Sequence, residues 1–251
     1  MIRNWLVSLL VIMAVLLVSM PVSADIHAPR IKVKEGTSSN WSGYAVETNL
    51  DTPQSNAVTY VTGTWTVPAV TSTANNAYSS IWVGIDGYDS NTVEQIGTDG
   101  FWINGEAVYS AWYEMYPKFP VTIPITLTPG DTITASVSYV AKGTFSLALT
   151  NLTTKETFTT KQKCPSADRS SAEWIVEAPW SGGVLPLANF GSTTFTGCSA
   201  TINNHQGPIN DTSWQYDAID MVNYSTDAVK ADTGDLSKKG TGFTVTWISN
   251  N

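Results

Sequence analysis

The chain has 251 residues, with 21 acids against 13 bases and a formal charge of −8. That balance argues against nucleic acid as a partner, because binding it needs clustered Lys and Arg. The two histidines and two cysteines show no metal-ligand spacing, and no phosphate-cradling Gly-rich loop opens a helix, so neither metal nor cofactor is expected.

The N-terminus comes first. Arg3 precedes an apolar run from Trp5 to Val18, and Val22-Ser23-Ala24 supplies a small-residue cleavage site. Residues 1–24 therefore read as a secretory signal cut after Ala24, with an uncleaved anchor as the alternative. No later stretch is apolar enough to span a bilayer. The expected product is secreted, monomeric and without stable membrane association. The signal holds one base and no acid, so the remainder carries −9. In an exported chain, Cys164 and Cys198 are expected to form a disulfide.

Residues 25–39 form an arm containing Pro29, Gly36 and Ser38-Ser39, with Arg30, Lys32 and Lys34. A contrasting stretch follows. From Glu35 to Pro117 there is no Lys or Arg, but there are nine acids. Crowding of like charge raises carboxyl pKa values. A folded pKa above the unfolded one gives stability that is lost as pH rises through the folded value. The composition therefore predicts a protein suited to acid, unless these acids are spread over a solvated surface.

From Asn40 to Asn251 the pattern is that of one all-β domain. Val61, Gly63, Trp65 and Val67 alternate with Thr62, Thr64 and Thr66. Ile133, Ala135, Val137 and Tyr139 alternate likewise, as do Phe145, Leu147 and Leu149, and Phe243, Val245 and Trp247. This is the two-residue period of half-buried strands. Turns are marked by Pro129-Gly130-Asp131, Lys142-Gly143 and Asn104-Gly105, the last a strong hairpin signal. No segment has a helical period. An antiparallel β-sandwich of jelly-roll type is predicted, with minimal helix.

Residues 171–179, SAEWIVEAP, carry Glu173 and Glu177. Trp174-Ile175-Val176 are strand formers. On a strand the two acids share a face but lie roughly 13 Å apart, so they are not a catalytic pair. Three more stretches place mixed side chains on one face. They are Trp82, Gly84 and Asp86; Val93, Gln95, Gly97 and Asp99; and Ser110, Trp112, Glu114 and Tyr116. Aromatic rings beside acids, an amide and glycines read as the floor of a groove. A buried polar network or solvent-side residues is the plainer account. A Ser–His–Asp triad has little support, since His27 lies in the arm and His205 in a loop composition.

In order along the chain come NWSGYA (40–45), WVGIDG (82–87), QIGTD (95–99), YSAWYEMYP (109–117) and AEWIVE (172–177). Together with LPLANF (185–190) and FTGCS (195–199), they resemble the glutamic peptidases, or eqolisins, a family of acid proteases. The resemblance implies two long, bent antiparallel sheets with a substrate groove on a concave face. It also implies a Gln/Glu dyad, which falls on Gln95 and Glu177 rather than Glu173. Trp41 and Trp82 match groove-lining aromatics, and Asp86, Asp99 and Glu114 match acids near the site. Glu177 would take a proton from water and return it to the leaving amine. Gln95 would donate to the oxyanion. Polypeptides are then the substrates. Glu173 is expected at the groove rim or in a structural role.

Fungal members carry a cysteine soon after the WVGIDG-like motif, where this chain has Tyr88-Asp89-Ser90. Cys164 is then a relic, bonded to Cys198 or free. The basic arm would be a short propeptide remnant covering an acidic groove at neutral pH and released in acid. Two alternatives stand beside this reading. One is a glycoside hydrolase on a similar sandwich, using Glu114 and Glu177 as its paired carboxylates. The other is a non-catalytic carbohydrate-binding module.

Overall fold

The computed structural model describes residues 26–250. The predicted export signal, residues 1–24, lies outside the described residues. Seventeen strands and no helix are found among them. In chain order these are β1 (Lys32–Lys34), β2 (Thr37–Ser38), β3 (Trp41–Glu47), β4 (Val58–Thr66), β5 (Asn76–Ile85) and β6 (Val93–Ile103). There follow β7 (Glu106–Tyr116), β8 (Val121–Ile123), β9 (Thr132–Ala141), β10 (Thr144–Asn151), β11 (Thr157–Lys163) and β12 (Ser171–Glu177). The last are β13 (Ser192–Ile202), β14 (His205–Gly207), β15 (Gln215–Val222), β16 (Val229–Thr233) and β17 (Phe243–Trp247).

Two long sheets result. One runs β15–β3–β12–β5–β6–β7–β8. The other runs β11–β10–β9–β4–β13–β14. Strands β16 and β17 join β15 to β13 and close the sandwich along one side. These pairings are antiparallel. The alternating stretches became strands because each presents one apolar face to the space between the sheets. Val83, Trp174 and Val176 of the first sheet meet Val61, Trp65, Leu147 and Phe195 of the second in one buried cluster. The Trp174 indole crosses the layers and donates to the Thr62 carbonyl at 2.7 Å.

The hairpin between β6 and β7 positions half of the polar face discussed below. Asn104 and Gly105 adopt φ values of 52° and 90°. Two successive positive φ values match the right-handed twist of the flanking strands. The turn thereby sets the register Ile103↔Glu106, which carries through to Gln95↔Glu114.

The expected disulfide does not form. Cys164 and Cys198 are both unbonded and buried. Cys164 follows β11, at an edge of the second sheet, whereas Cys198 lies on β13 within it. Each fills core space as a small apolar side chain.

Candidate active site

The outer face of the first sheet carries a second buried cluster, containing Trp41, Ala45, Trp82, Val93, Trp112 and Ile175. Strand register sorts this face into rungs. One rung runs Trp41–Glu177–Ser80–Asp99–Ser110. The next contains Ile175, Trp82, Gly97 and Trp112. A third contains Glu173, Gly84, Gln95 and Glu114. The period of two that marked these residues in the sequence thus puts them all on one face, from five different strands.

Glu177 is fully buried. Its Oε2 accepts a hydrogen bond from the Trp82 indole at 2.8 Å, and its Oε1 accepts one from the Ala28 main-chain N–H at 2.9 Å. Trp41 stands edge-on to Trp82 with ring centroids 4.9 Å apart, and its own indole donates to the Ala28 carbonyl at 2.9 Å. Asp99 accepts from the hydroxyls of Ser80 at 2.6 Å and Ser110 at 3.3 Å. In the third rung, Gln95 Nε2 donates to Glu114 Oε2 at 2.8 Å.

The arm crosses this face, which is why the face is buried. The His27 ring stacks on Trp112, with centroids 3.7 Å apart and planes 13° from parallel. Its Nδ1 lies 3.6 Å from Glu177 Oε2 and its Nε2 lies 3.8 Å from Asp99 Oδ1. These are close charge contacts, longer than hydrogen bonds. Farther along, the Arg30 guanidinium is 3.4 Å from Asp217 and sits over the Tyr88 ring.

The electrostatics follow from this burial. Burial alone would lower the His27 pKa. Contact with Glu177 and the charges of Asp99, Glu177 and Glu114 outweigh it and raise the imidazole from 6.5 to about 9. Asp99 is pushed up to about 6 by burial, against the opposing pull of His27 and its hydroxyl donors. Glu114 is pushed up to about 8 by burial first, with His27 and the Gln95 amide opposing. Below about pH 6, then, the face around Glu177 holds Asp99 and Glu114 as neutral acids and His27 as a cationic imidazole.

The structure brings Glu177, Trp82, Trp41 and Asp99 into one neighbourhood, with Gln95 and Glu114 hydrogen-bonded two rungs along. Asp86 is elsewhere. At the end of β5, with φ 74°, it accepts the main-chain N–H groups of Arg169 and Ser170 at 2.7 and 2.9 Å. There it fastens the loop leading into β12. Glu173 is not at a rim. It is fully buried, and its pKa is raised well above the usual carboxylate value by burial, with Asp86 and Glu47 adding repulsion. Sequence reasoning missed His27 and Ser80. The hint for His27 was available, since a cationic arm directly precedes a long stretch of acids without bases. Among the described residues, no cluster of His, Cys, Asp and Glu is arranged to hold a metal ion.

Comparison with known proteins gives this face a family. Residues 39–247 match the peptidase A4 family. The chain belongs to that family. Aspergillopepsin-2 of Aspergillus niger is 35% identical over 192 residues, which span 66% of this chain and 66% of the relative. The crystal structure of scytalido-glutamic peptidase with a transition state analog inhibitor aligns with a TM-score of 0.69 at 27% identity, over 84% of this chain and 98% of that one. SCP-B, a member of the eqolisin family of peptidases, in complex with the tripeptide Ala-Ile-His, aligns at 0.65 and 26% identity over the same shares. The sandwich, the family and the peptidase class expected from the motifs are thus shown.

Proposed function

We propose that the chain is a secreted acid endopeptidase in which Glu177 is the general base and acid and Gln95 stabilises the oxyanion. One observation carries the reading: a buried carboxylate at the end of β12 touches the nitrogen of a peptide link in a chain segment crossing the groove. That is the atom a peptidase must protonate. Glu177 takes a proton from the attacking water and passes it to the leaving nitrogen. The carboxamide of Gln95 has two N–H donors, of which Glu114 engages one; the other can serve the developing negative oxygen. Glu114 is thus a positioning residue, and the Trp82 indole orients Glu177.

The mechanism requires one ionised carboxylate among neutral neighbours. With Asp99 near 6 and Glu114 near 8, acid conditions supply those neighbours. The Ala-Ile-His complex of SCP-B supports a groove that accepts a short peptide ending in Ile-His. This chain has Ile26-His27 in its own groove.

The test is digestion of denatured protein and of β-glucans by the purified chain from acid to neutral pH. Proteolysis confined to acid, unaffected by chelators and serine reagents, is expected. Glucan cleavage without proteolysis overturns the reading in favour of the paired-carboxylate alternative.

A further inference from the structure

Lys230, on β16, is 6% exposed, and a lysine is rarely so buried unless it is paired. This one is not. Its ammonium donates to the Ser39 carbonyl at 3.5 Å, long for a hydrogen bond. No carboxylate among the described residues lies within 4 Å of it. Burial lowers its pKa from 10.5 to about 8, so the group is a cation throughout the acid range. A buried ammonium with no counter-charge is costly to keep. This cation borders a cavity of about 190 Å³, to which Val184, Leu185, Pro186 and Val222 give apolar walls and Asn223 and Asn250 give amides. A second cavity, of about 470 Å³, shares Ser39, Val184 and Tyr224 with the first and brings in Lys32. Tyr224, 75% exposed, stands where the two meet.

We propose that this pocket binds the terminal carboxylate of a polypeptide, ion-paired with Lys230, with an apolar last side chain against Leu185, Pro186 and Val222. Three features select a chain end over other anions. The pocket offers one buried cation, which matches a single negative charge. Its walls are apolar beside that cation, and only a chain end presents a carboxylate and a separate apolar side chain from the same carbon. The adjoining cavity leaves room for the residues that precede the last one. The pocket also neighbours the catalytic carboxylate along the chain. The Ala178 N–H, next after Glu177, donates to the Asn40 carbonyl at 2.8 Å, and the preceding carbonyl, that of Ser39, holds the ammonium. Val184, Leu185 and Pro186 belong to the loop that leaves Glu177, so a bound chain end rests against that loop. Binding there needs no chemistry at Glu177, and the proposal stands apart from the peptidase reading.

The probe is N-acetyl-leucine, titrated calorimetrically into the purified chain at about pH 5, where an α-carboxyl with a pKa of about 3.3–3.7 is ionised. N-acetyl-leucinamide, inorganic sulfate and the α-amide of N-acetyl-glutamic acid are titrated in parallel. The expected result is saturable one-to-one binding of N-acetyl-leucine, with N-acetyl-leucinamide at least about tenfold weaker. Lys230→Met, which keeps the length of the side chain without its charge, should weaken N-acetyl-leucine by at least about tenfold. It should also melt no lower than wild type, because it removes a buried cation that has no partner. Lys230→Gln should lose binding to the same extent, and it carries the test if the Met variant fails to fold. The proposal is overturned if N-acetyl-leucine does not bind, if its amide binds as well, or if both variants keep wild-type affinity. Sulfate binding as tightly would show a site for any anion, and the glutamic α-amide binding as tightly would show a site for acidic side chains; either result overturns the proposal. Binding that appears only after Asn251 is removed overturns it too.

Discussion

Glu173 and Glu177 differ by four positions and by almost everything that matters chemically. Both are fully buried on the same face of β12. Glu177 has an indole N–H on one oxygen and a peptide N–H on the other, whereas both Glu173 oxygens lack hydrogen-bond partners. Glu177→Gln should therefore abolish turnover, while Glu173→Gln should leave kcat within a few-fold of wild type. Steady-state kinetics on a peptide substrate checks both, and the reverse ranking refutes the assignment. Gln95→Ala should cost about 10²–10³ in kcat, the usual effect of losing one oxyanion donor. Trp82→Phe keeps the ring but removes the donor to Glu177. A charge-assisted hydrogen bond is worth about 1.5–3 kcal/mol, so kcat/KM should fall about 10- to 100-fold. A variant indistinguishable from wild type would show that the indole does not orient the carboxylate.

At the scale of elements, strand existence was legible and convergence was not. Alternation in 61–67, 132–139 and 145–149 matches β4, β9 and β10 because each strand buries one face only. The same period put Trp82, Gln95, Asp99, Trp112 and Glu114 on one face. It could not say which rungs they occupy, because register depends on hairpin turns and on the pairing of β12 between β3 and β5. Nor could it seat His27, whose place is set by contacts with strands far along the chain. Asp86 had the right parity, but a positive φ turns it toward the 169–170 loop. Two glycines of this sheet test the elements in different ways. A Cβ on Gly97 would meet the Ile81 carbonyl oxygen and lie 2.5 Å from Trp82 Cβ. Gly97→Ala should thus displace Trp82, destabilising by about 1–3 kcal/mol and lowering kcat. A Cβ on Gly105 meets nothing, yet φ there is +90°. Gly105→Ala should cost about 1–2 kcal/mol through backbone strain alone, with kcat unchanged. Denaturant melts paired with kinetics separate the two outcomes.

Across the whole molecule, acidity is built into the interior as much as the surface. The run without bases from Glu35 to Pro117 folds so that Glu47, Asp86, Glu94, Asp99 and Glu114 are all buried. Burial raises every one of them. Glu47 reaches about 8, with Asp89 and Asp86 adding to the burial effect and Arg30 and Lys32 opposing it. Asp86 and Glu94 move in the same direction, burial again being the main cause. The sign follows from linkage. A carboxyl that titrates near 4.5 unfolded and near 8 folded lends its full stability below the lower value. That stability is lost progressively as pH rises toward the higher one. His27, raised from 6.5 to about 9, acts in the same sense, its contribution being complete below the lower value and gone above the upper. The melting temperature should therefore be highest in acid and fall between about pH 5 and pH 8. Thermal scans of Glu177→Gln, which the proposed mechanism leaves unable to digest itself, measure this without loss of material. In that background Glu47→Gln replaces a buried acid with a side chain that never ionises, so it should flatten the fall and gain most at alkaline pH. A melting temperature that climbs steadily from acid to neutral pH, or a Glu47→Gln curve parallel to its parent, would show that these acids do not set the pH response.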